Sequence, residues 1–298
     1  MPHPILERLE AGEILLSDGA MGTEIQKYGL ATGGCPDEFN LTQPDAVKSI
    51  HRKYFEAGSD IVETNTFGAN RKRLENDGLQ DKVLEINTTA VELARSVCPD
   101  GRYVAGSIGP TGALLQPYGT DTKEEIHEIF FEQIEALVNA GADILFIETM
   151  MDITEAELAV QAARQVTDIP VSATMTFEVS DKGVKTSWGV DPETAVGRLT
   201  AAGADIVGAN CGNGFEQMLI IIEAMRPLFD GYLLAQANAG TPIMESGETV
   251  FKETPGDVKP KAKKLLDAGI NILGGCCGTG PEHIRVLRQL VDDANSVK

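Results

Sequence analysis

The chain has 298 residues, 42% of them hydrophobic and 23% charged, and a formal net charge of −20. Those fractions are ordinary for a globular protein, while the acidic balance argues against a surface built for nucleic acid or for an anionic membrane. No run approaches the roughly 18 apolar residues of a membrane span, and the first fifteen residues carry three acidic side chains where a secretory signal would need an apolar core. A reducing cytoplasmic setting is therefore expected, in which cysteines more often bind metal or catalyse than cross-link.

Taken in chain order, the elements alternate. A short strand is expected over 14–18 and amphipathic helices over 44–57 and 82–97. A strand at 103–109 precedes a helix over 123–140. A helix over 155–165 leads to a strand at 170–177 and a helix over 192–202. A helix over 215–228 is followed by a strand at 232–239 and a helix over 255–268, and the last helix starts near Pro281. Four further strands come from a recurring phrase. It reads Ala57-Gly-Ser-Asp-Ile-Val-Glu-Thr-Asn-Thr66 and Ala140-Gly-Ala-Asp-Ile-Leu-Phe-Ile-Glu-Thr149. It returns as Ala202-Gly-Ala-Asp-Ile-Val-Gly-Ala-Asn-Cys211 and, more loosely, as Ala268-Gly-Ile-Asn-Ile-Leu-Gly-Gly-Cys-Cys277. In each copy a glycine stops a helix in the left-handed cap, and an apolar run follows that reads as a buried parallel strand. Eight strands alternating with helices is the pattern of a single (β/α)8 barrel. A doubly wound open sheet is the competing reading, but no dinucleotide fingerprint follows the first strand. No linker or low-complexity stretch divides the chain, so residues 1–298 are read as one domain.

Barrel enzymes carry their sites at the C-terminal ends of the strands, and the unusual polar residues fall there. Asp18-Gly-Ala-Met-Gly-Thr23 ends strand one and Glu63-Thr-Asn-Thr-Phe67 ends strand two. Strand three ends in Gly106-Ser-Ile-Gly-Pro-Thr-Gly112 and strand four in Glu148-Thr149. Asn210-Cys211, Asn238-Ala-Gly240 and Cys276-Cys277 end strands six, seven and eight. Strands six and eight are second neighbours, about 10 Å apart at 4.7–4.9 Å per step. Thiolates leaning inward from them can converge on one zinc ion at about 2.3 Å. Three thiolates leave a tetrahedral zinc one ligand short, and no fourth Cys or His stands at short spacing. Buried packing is the competing reading of these cysteines, and an adjacent Cys-Cys pair is a poor disulfide. Cys35 and Cys98 fall in loops or helix ends and receive no role.

Asp18 and Glu148 are carboxylates at the barrel mouth, read either as ion-paired caps or as a seat for a substrate ammonium. Gly19, Gly22, Gly109 and Gly112 can offer backbone N–H groups to a carboxylate, although ordinary turn chemistry explains any one of them. Asn238 is a weak fourth zinc ligand, a residue that orients substrate, or a turn asparagine. The four histidines form no constellation and read as surface residues.

These motifs, together with Gly109-Pro-Thr111 and Gly274-Gly-Cys-Cys-Gly-Thr279, resemble those of homocysteine S-methyltransferases nearly end to end. The resemblance is closer to the homocysteine-binding domain of cobalamin-dependent methionine synthase. It implies a zinc-bearing (β/α)8 barrel that methylates homocysteine to methionine, with Cys211, Cys276 and Cys277 matching the zinc ligands. It implies that Asp18 and Glu148 sit near the ammonium group and that Ser107 takes part in reading the carboxylate, with Gly19 and Asn238 among the substrate contacts. The sequence ends about 20 residues past Cys277, which leaves no room for a cobalamin module. The expectation is that methylcobalamin is carried by a separate corrinoid protein or domain. Donors of the S-methylmethionine or betaine type are the alternative, and so is a non-catalytic module that binds zinc or thiol.

Overall fold

In the computed structural model, which describes residues 3–31, 33–245 and 248–297, each copy of the repeated phrase ends one helix and starts one strand. Gly58, Gly141, Gly203 and Gly269 all take positive φ, the conformation that glycine adopts without steric cost. The barrel strands are β1 (Leu15–Leu16), β2 (Ile61–Glu63), β3 (Tyr103–Ile108), β4 (Ile144–Met150), β5 (Val171–Met175), β6 (Ile206–Gly214), β7 (Tyr232–Asn238) and β8 (Ile272–Gly275). They form one sheet in the order β1-β8-β7-β6-β5-β4-β3-β2, with the paired strands parallel.

Each strand leads to a helix of the outer layer: α1 (Pro44–Ala57), α2 (Val83–Arg95), α3 (Lys123–Asn139), α4 (Ile153–Val166), α5 (Pro192–Ala202), α6 (Phe215–Met225), α7 (Pro255–Asp267) and α8 (Pro281–Ser296), with short helices Met21–Gln26 and Phe39–Thr42 before α1 and Arg71–Leu74 before α2. Helix α4 starts earlier than its apolar pattern indicates, because Asp152 accepts a hydrogen bond from the Thr154 N–H at 2.7 Å and so caps the helix. Helix α6 stops at Met225, and a 3-10 turn takes over at Arg226–Leu228. Pro227 within that turn has no N–H to continue the ladder. Two hairpins were not anticipated: Glu178–Ser180 with Gly183–Lys185 after β5, and Ile243–Glu245 with Glu248–Val250 after β7.

The acidic or amide residue of each phrase has a second use that the sequence did not reveal. Asp60, Asp143, Asp205 and Asn271 each clamp the start of the preceding strand. Their backbone N–H groups donate to the carbonyls of Leu16, Val104, Val171 and Leu233 at 2.7–2.9 Å. Their side chains accept the N–H of those same four residues at 2.7–2.9 Å. Each clamp thus satisfies groups that strand ends would otherwise leave unpaired.

The Asp60 clamp carries the most weight, since β1 and β2 share no ladder and stand at the two ends of the strand order. They are joined by the Asp60 bonds below and, above, by the Glu63 N–H, which donates to Asp18 at 3.1 Å. Asp60 is also paired with Arg8 at 3.1 Å, with Arg288 at 2.8 Å and with Arg102.

Period-two alternation sorts the strand residues. Leu15, Ile61, Ala105, Ile144, Phe146, Ile206, Leu234 and Ile272 form an interior cluster with Ile5 and Leu9 of the N-terminal helix Pro4–Glu10. The alternate residues pack into the outer helical layer. Two positions further along the inner row stand Ser17, Glu63, Ser107, Glu148 and Gln236, and four positions further, beyond Gly208 and Gly274, stand Asn210 on β6 and Cys276 just past β8. The barrel is filled with hydrocarbon below and polar groups above.

Among the histidines, His51 departs from the surface placement expected of it. It sits on α1 within the buried stripe of Val47, Ile50 and Tyr54 and has no exposed surface. Burial pushes its pKa down to about 4, so the ring is neutral.

Candidate active site

At the C-terminal ends of the strands a cavity of about 420 Å³ opens. Cys211, Cys276 and Cys277 line it, and their sulfurs lie within 4.8 Å of one another. Four ligands at 2.3 Å around a tetrahedral zinc stand about 3.8 Å apart, so this spacing fits the ion with little adjustment. Cys211 has φ 60°, a left-handed conformation that a β-carbon disfavours, and the register of β6 shifts between Asn210 and Gly214. A bulge re-aims side chains, and local strain of about 1–3 kcal/mol is characteristic of functional positions.

The chemistry of the sulfurs agrees with a metal site. The thiols of Cys276 and Cys277 donate hydrogen bonds to the Cys211 sulfur and lower its pKa to about 3, assisted by the Gly212 N–H and the Asn238 side chain. Accordingly the Cys276 thiol is pushed up, and the Cys277 thiol rises to about 12. Three sulfurs this close repel one another as thiolates, and a cation bound between them would relieve that repulsion.

Beside the sulfurs lies a cluster of carboxyls. Glu148 accepts the Ser107 hydroxyl at 2.5 Å and the Asn210 amide at 3.2 Å. Asn210 in turn accepts the Thr149 N–H at 2.8 Å and the Thr174 hydroxyl at 2.7 Å. Thr149, like Cys211, has positive φ. Glu63 is hydrogen-bonded to Gln236 and shares a hydrogen bond with Glu148. Burial raises the pKa values of Asp18, Glu63 and Glu148, and their mutual repulsion raises those of Asp18 and Glu63 further. An incoming ammonium would relieve the repulsion among these buried carboxyls.

Of the residues expected at the site, Gly19, Ser107, Glu148 and the three cysteines line the cavity, whereas Asp18 and Asn238 stand just behind the wall. Asp18 reaches the site through its contact with Glu63, and its Oδ1 is a buried acceptor without a donor. Asn238 touches Cys211. Gly109 cannot offer its N–H to a ligand, because that group donates to the Phe67 carbonyl at 3.0 Å. It is glycine for space: a β-carbon there would come within 2.5 Å of the Phe67 ring. Gly112 lines a smaller neighbouring cavity instead. Glu63 and Gln236 were not singled out as site residues from sequence, although both stand two places above apolar interior residues, which was the available signal.

The homocysteine S-methyltransferase family model matches residues 15–291. The chain belongs to the homocysteine S-methyltransferase family. Within that family it is 31% identical to methionine synthase of Mycobacterium leprae over 98% of its length, and 31% identical to methionine synthase of Mycobacterium tuberculosis over 91%. It spans about a quarter of the length of these two curated relatives. Among solved structures, the metallated form of the homocysteine methyltransferase MmuM from Escherichia coli superposes with a TM-score of 0.81 at 23% identity. That match covers 96% of this chain and 99% of the other, and it establishes the shared barrel. No helix among the described residues is long and apolar enough to cross a membrane.

One wall residue of this family member makes stability depend on pH. Asp37 is buried and accepts the Gly68 N–H at 3.0 Å. Burial raises its pKa from 3.8 to about 6, despite that bond and the Arg73 charge. A carboxyl whose folded-state pKa is raised contributes stability below its unfolded pKa and loses that contribution as pH climbs through the folded value. The loss falls between pH 4 and pH 7 and amounts to about 3 kcal/mol at 1.36 kcal/mol per unit. Asp37→Asn is expected to remove most of it, narrowing the stability difference between those two pH values in urea titrations. An unchanged difference rules out Asp37 as its source.

Proposed function

We propose that this domain, residues 1–298, transfers a methyl group to the sulfur of homocysteine to give methionine, in a reducing cytoplasm where its cysteines stay free. The observation that carries the reading is that three sulfurs and a carboxyl cluster meet in one cavity. A site that only carried metal would have no use for carboxyls placed to read an amino acid.

Cys211, Cys276 and Cys277 would hold Zn2+, which when bound supplies a Lewis acid that deprotonates a thiol near neutral pH. Glu63 and Glu148 take the ammonium of homocysteine, with Asp18 behind them as a further negative charge. Ser107 holds Glu148 in one orientation by its hydroxyl. Gly19 and the following turn, whose residues 19–23 line the cavity, face the carboxylate end. With amine and thiol both held, the sulfur is aligned for in-line attack, and positioning of this kind supplies much of a bimolecular barrier. The sulfur's electron pair forms the new S–C bond while the old C–donor pair leaves with the donor. No general base is needed once the thiol proton is gone.

The sequence relatives favour a methyl-corrinoid protein or module as the donor, with S-methylmethionine or a betaine-type compound as the alternative. The test is turnover by zinc-replete protein given homocysteine and each donor in turn. Methionine is expected from methylcobalamin. With 4-mercaptobutyrate, which lacks the amino group, kcat/KM is expected to fall about 10²–10³-fold, because buried carboxyls are left unpaired. Absence of product from every donor ends the assignment of homocysteine.

A further inference from the structure

One part of the cavity wall is accounted for by sulfurs and carboxyls, but the part formed by Phe67 and the exposed Arg73 has a construction of its own. Phe67 is the single aromatic side chain among the described residues that line the cavity. Its ring lies against Gly109, and the guanidinium carbon of Arg73 stands 5.4 Å from the ring centroid. Arg73 is exposed and lines the same cavity. It belongs to a basic run whose other members are engaged: Arg71 with Glu128 and Glu132 at 3.7 Å each, and Lys72 with Asp121. Two carboxyls feel the Arg73 charge, Asp37 in the same cavity wall and the buried Glu155. A β-carbon built on Gly68 would lie 2.8 Å from Asp37 Oδ2 and 3.4 Å from Arg73 Nε.

Phe67, Arg73 and Asp37 line the same cavity as the three sulfurs, so a methyl donor that reaches the sulfurs shares that space with them. Methyl groups on sulfonium or quaternary ammonium centres are recognised by aromatic faces, against which the cation sits, and a carboxylate close by adds to the attraction. Phe67 and Asp37 are the parts of such a site. Arg73 covers the first and offsets the second.

We propose that Arg73 is a specificity-determining residue, which occupies the aromatic face of Phe67 and so keeps onium methyl donors out of this part of the cavity. Donors whose transferring methyl is not on a cationic sulfur or nitrogen are unaffected by this device. The inference rests on the methyl-transfer reading and narrows its donor. Solvent screening weakens simple charge repulsion at an exposed site, so occupancy of the ring is the stronger part of the effect.

Tetramethylammonium is an inert probe of this part of the cavity. Its binding to the full chain can be followed by broadening of its methyl proton resonance, without any turnover. Arg73→Met, which keeps an unbranched stem, is expected to bind the probe at least tenfold more tightly than the unchanged protein. Arg73→Lys, which restores the charge, should return the affinity to within about threefold of the original. Adding Phe67→Leu to Arg73→Met should abolish the gain. In parallel, the ratio of kcat/KM for S-methylmethionine to that for methylcobalamin should rise at least tenfold in Arg73→Met. Equal probe affinity in the unchanged and Arg73→Met proteins overturns the proposal, as does a gain that survives loss of the Phe67 ring. The binding arm stands apart from catalysis. Failure of every donor to give methionine refutes the methyl-transfer reading, while the probe still decides what Arg73 does.

Discussion

Replacing Cys276 with serine is expected to lower zinc affinity about 10²–10³-fold and to reduce methyl transfer to homocysteine at least as much. Structural zinc sites bind with about 10–16 kcal/mol. Spread over four ligands, that is roughly 2.5–4 kcal/mol for each, and every 1.4 kcal/mol is a factor of ten. A serine hydroxyl stays protonated where a thiol ionises, so it does not replace the lost ligand. The effect also spreads through the cluster. The three sulfurs lie within 4.8 Å of one another, so removing one changes the electrostatic surroundings of the other two. Metal content after dialysis against a weak chelator, compared with Cys98→Ser, checks the expectation. Cys98 lies outside the cavity, bonded to the Pro99 carbonyl, and its replacement should leave zinc binding alone. Full zinc content and full activity in Cys276→Ser would remove that residue from the ligand set.

The largest loss of stability is expected from Asp60→Ala. Asp60 is about 1% exposed and accepts hydrogen bonds from the Leu16 N–H at 2.9 Å and from Arg288 at 2.8 Å, besides its pairing with Arg8 and Arg102. Removing one partner of a buried ionic group costs about 3–5 kcal/mol, because the remaining charges stay without compensation. Here the loss also strips the β1–β2 seam of one of its few bonds, where no ladder stands in reserve. A fall in Tm on the order of 10 °C is expected at 2–4 °C per kcal/mol. The equivalent change at Asp205 should cost less, since β5 and β6 also pair along Ser172–Met175. If Asp60→Ala melts within 2 °C of the unchanged protein, the seam is held by something other than this carboxylate.

These two cases mark where sequence reading reaches and where it stops. The barrel was legible because local physics writes it repeatedly. A glycine that must turn left-handed after each helix, followed by an apolar run, recurs at 58, 141, 203 and 269, and each copy means the same thing wherever it stands in the chain. The three cysteines were legible for a related reason. Strand ends in a barrel have known neighbours, so residues at the ends of β6 and β8 are brought together by topology alone. Side-chain direction was not legible. The bulge in β6 and the left-handed Cys211 that aim its sulfur depend on strands packed on either side. Glu63 joined Glu148 only once the period-two alternation of β2 was placed against that of β4 around a closed ring. The same closure moved Asp18 behind the wall and turned the aspartate of the repeat into a clamp on Leu16, more than forty residues away. What a residue's own neighbours dictate, the amino-acid order by itself determined. Which distant group each polar side chain meets was decided only when the ring of strands closed, because hydrogen bonds and pKa values follow distance in space rather than separation along the chain.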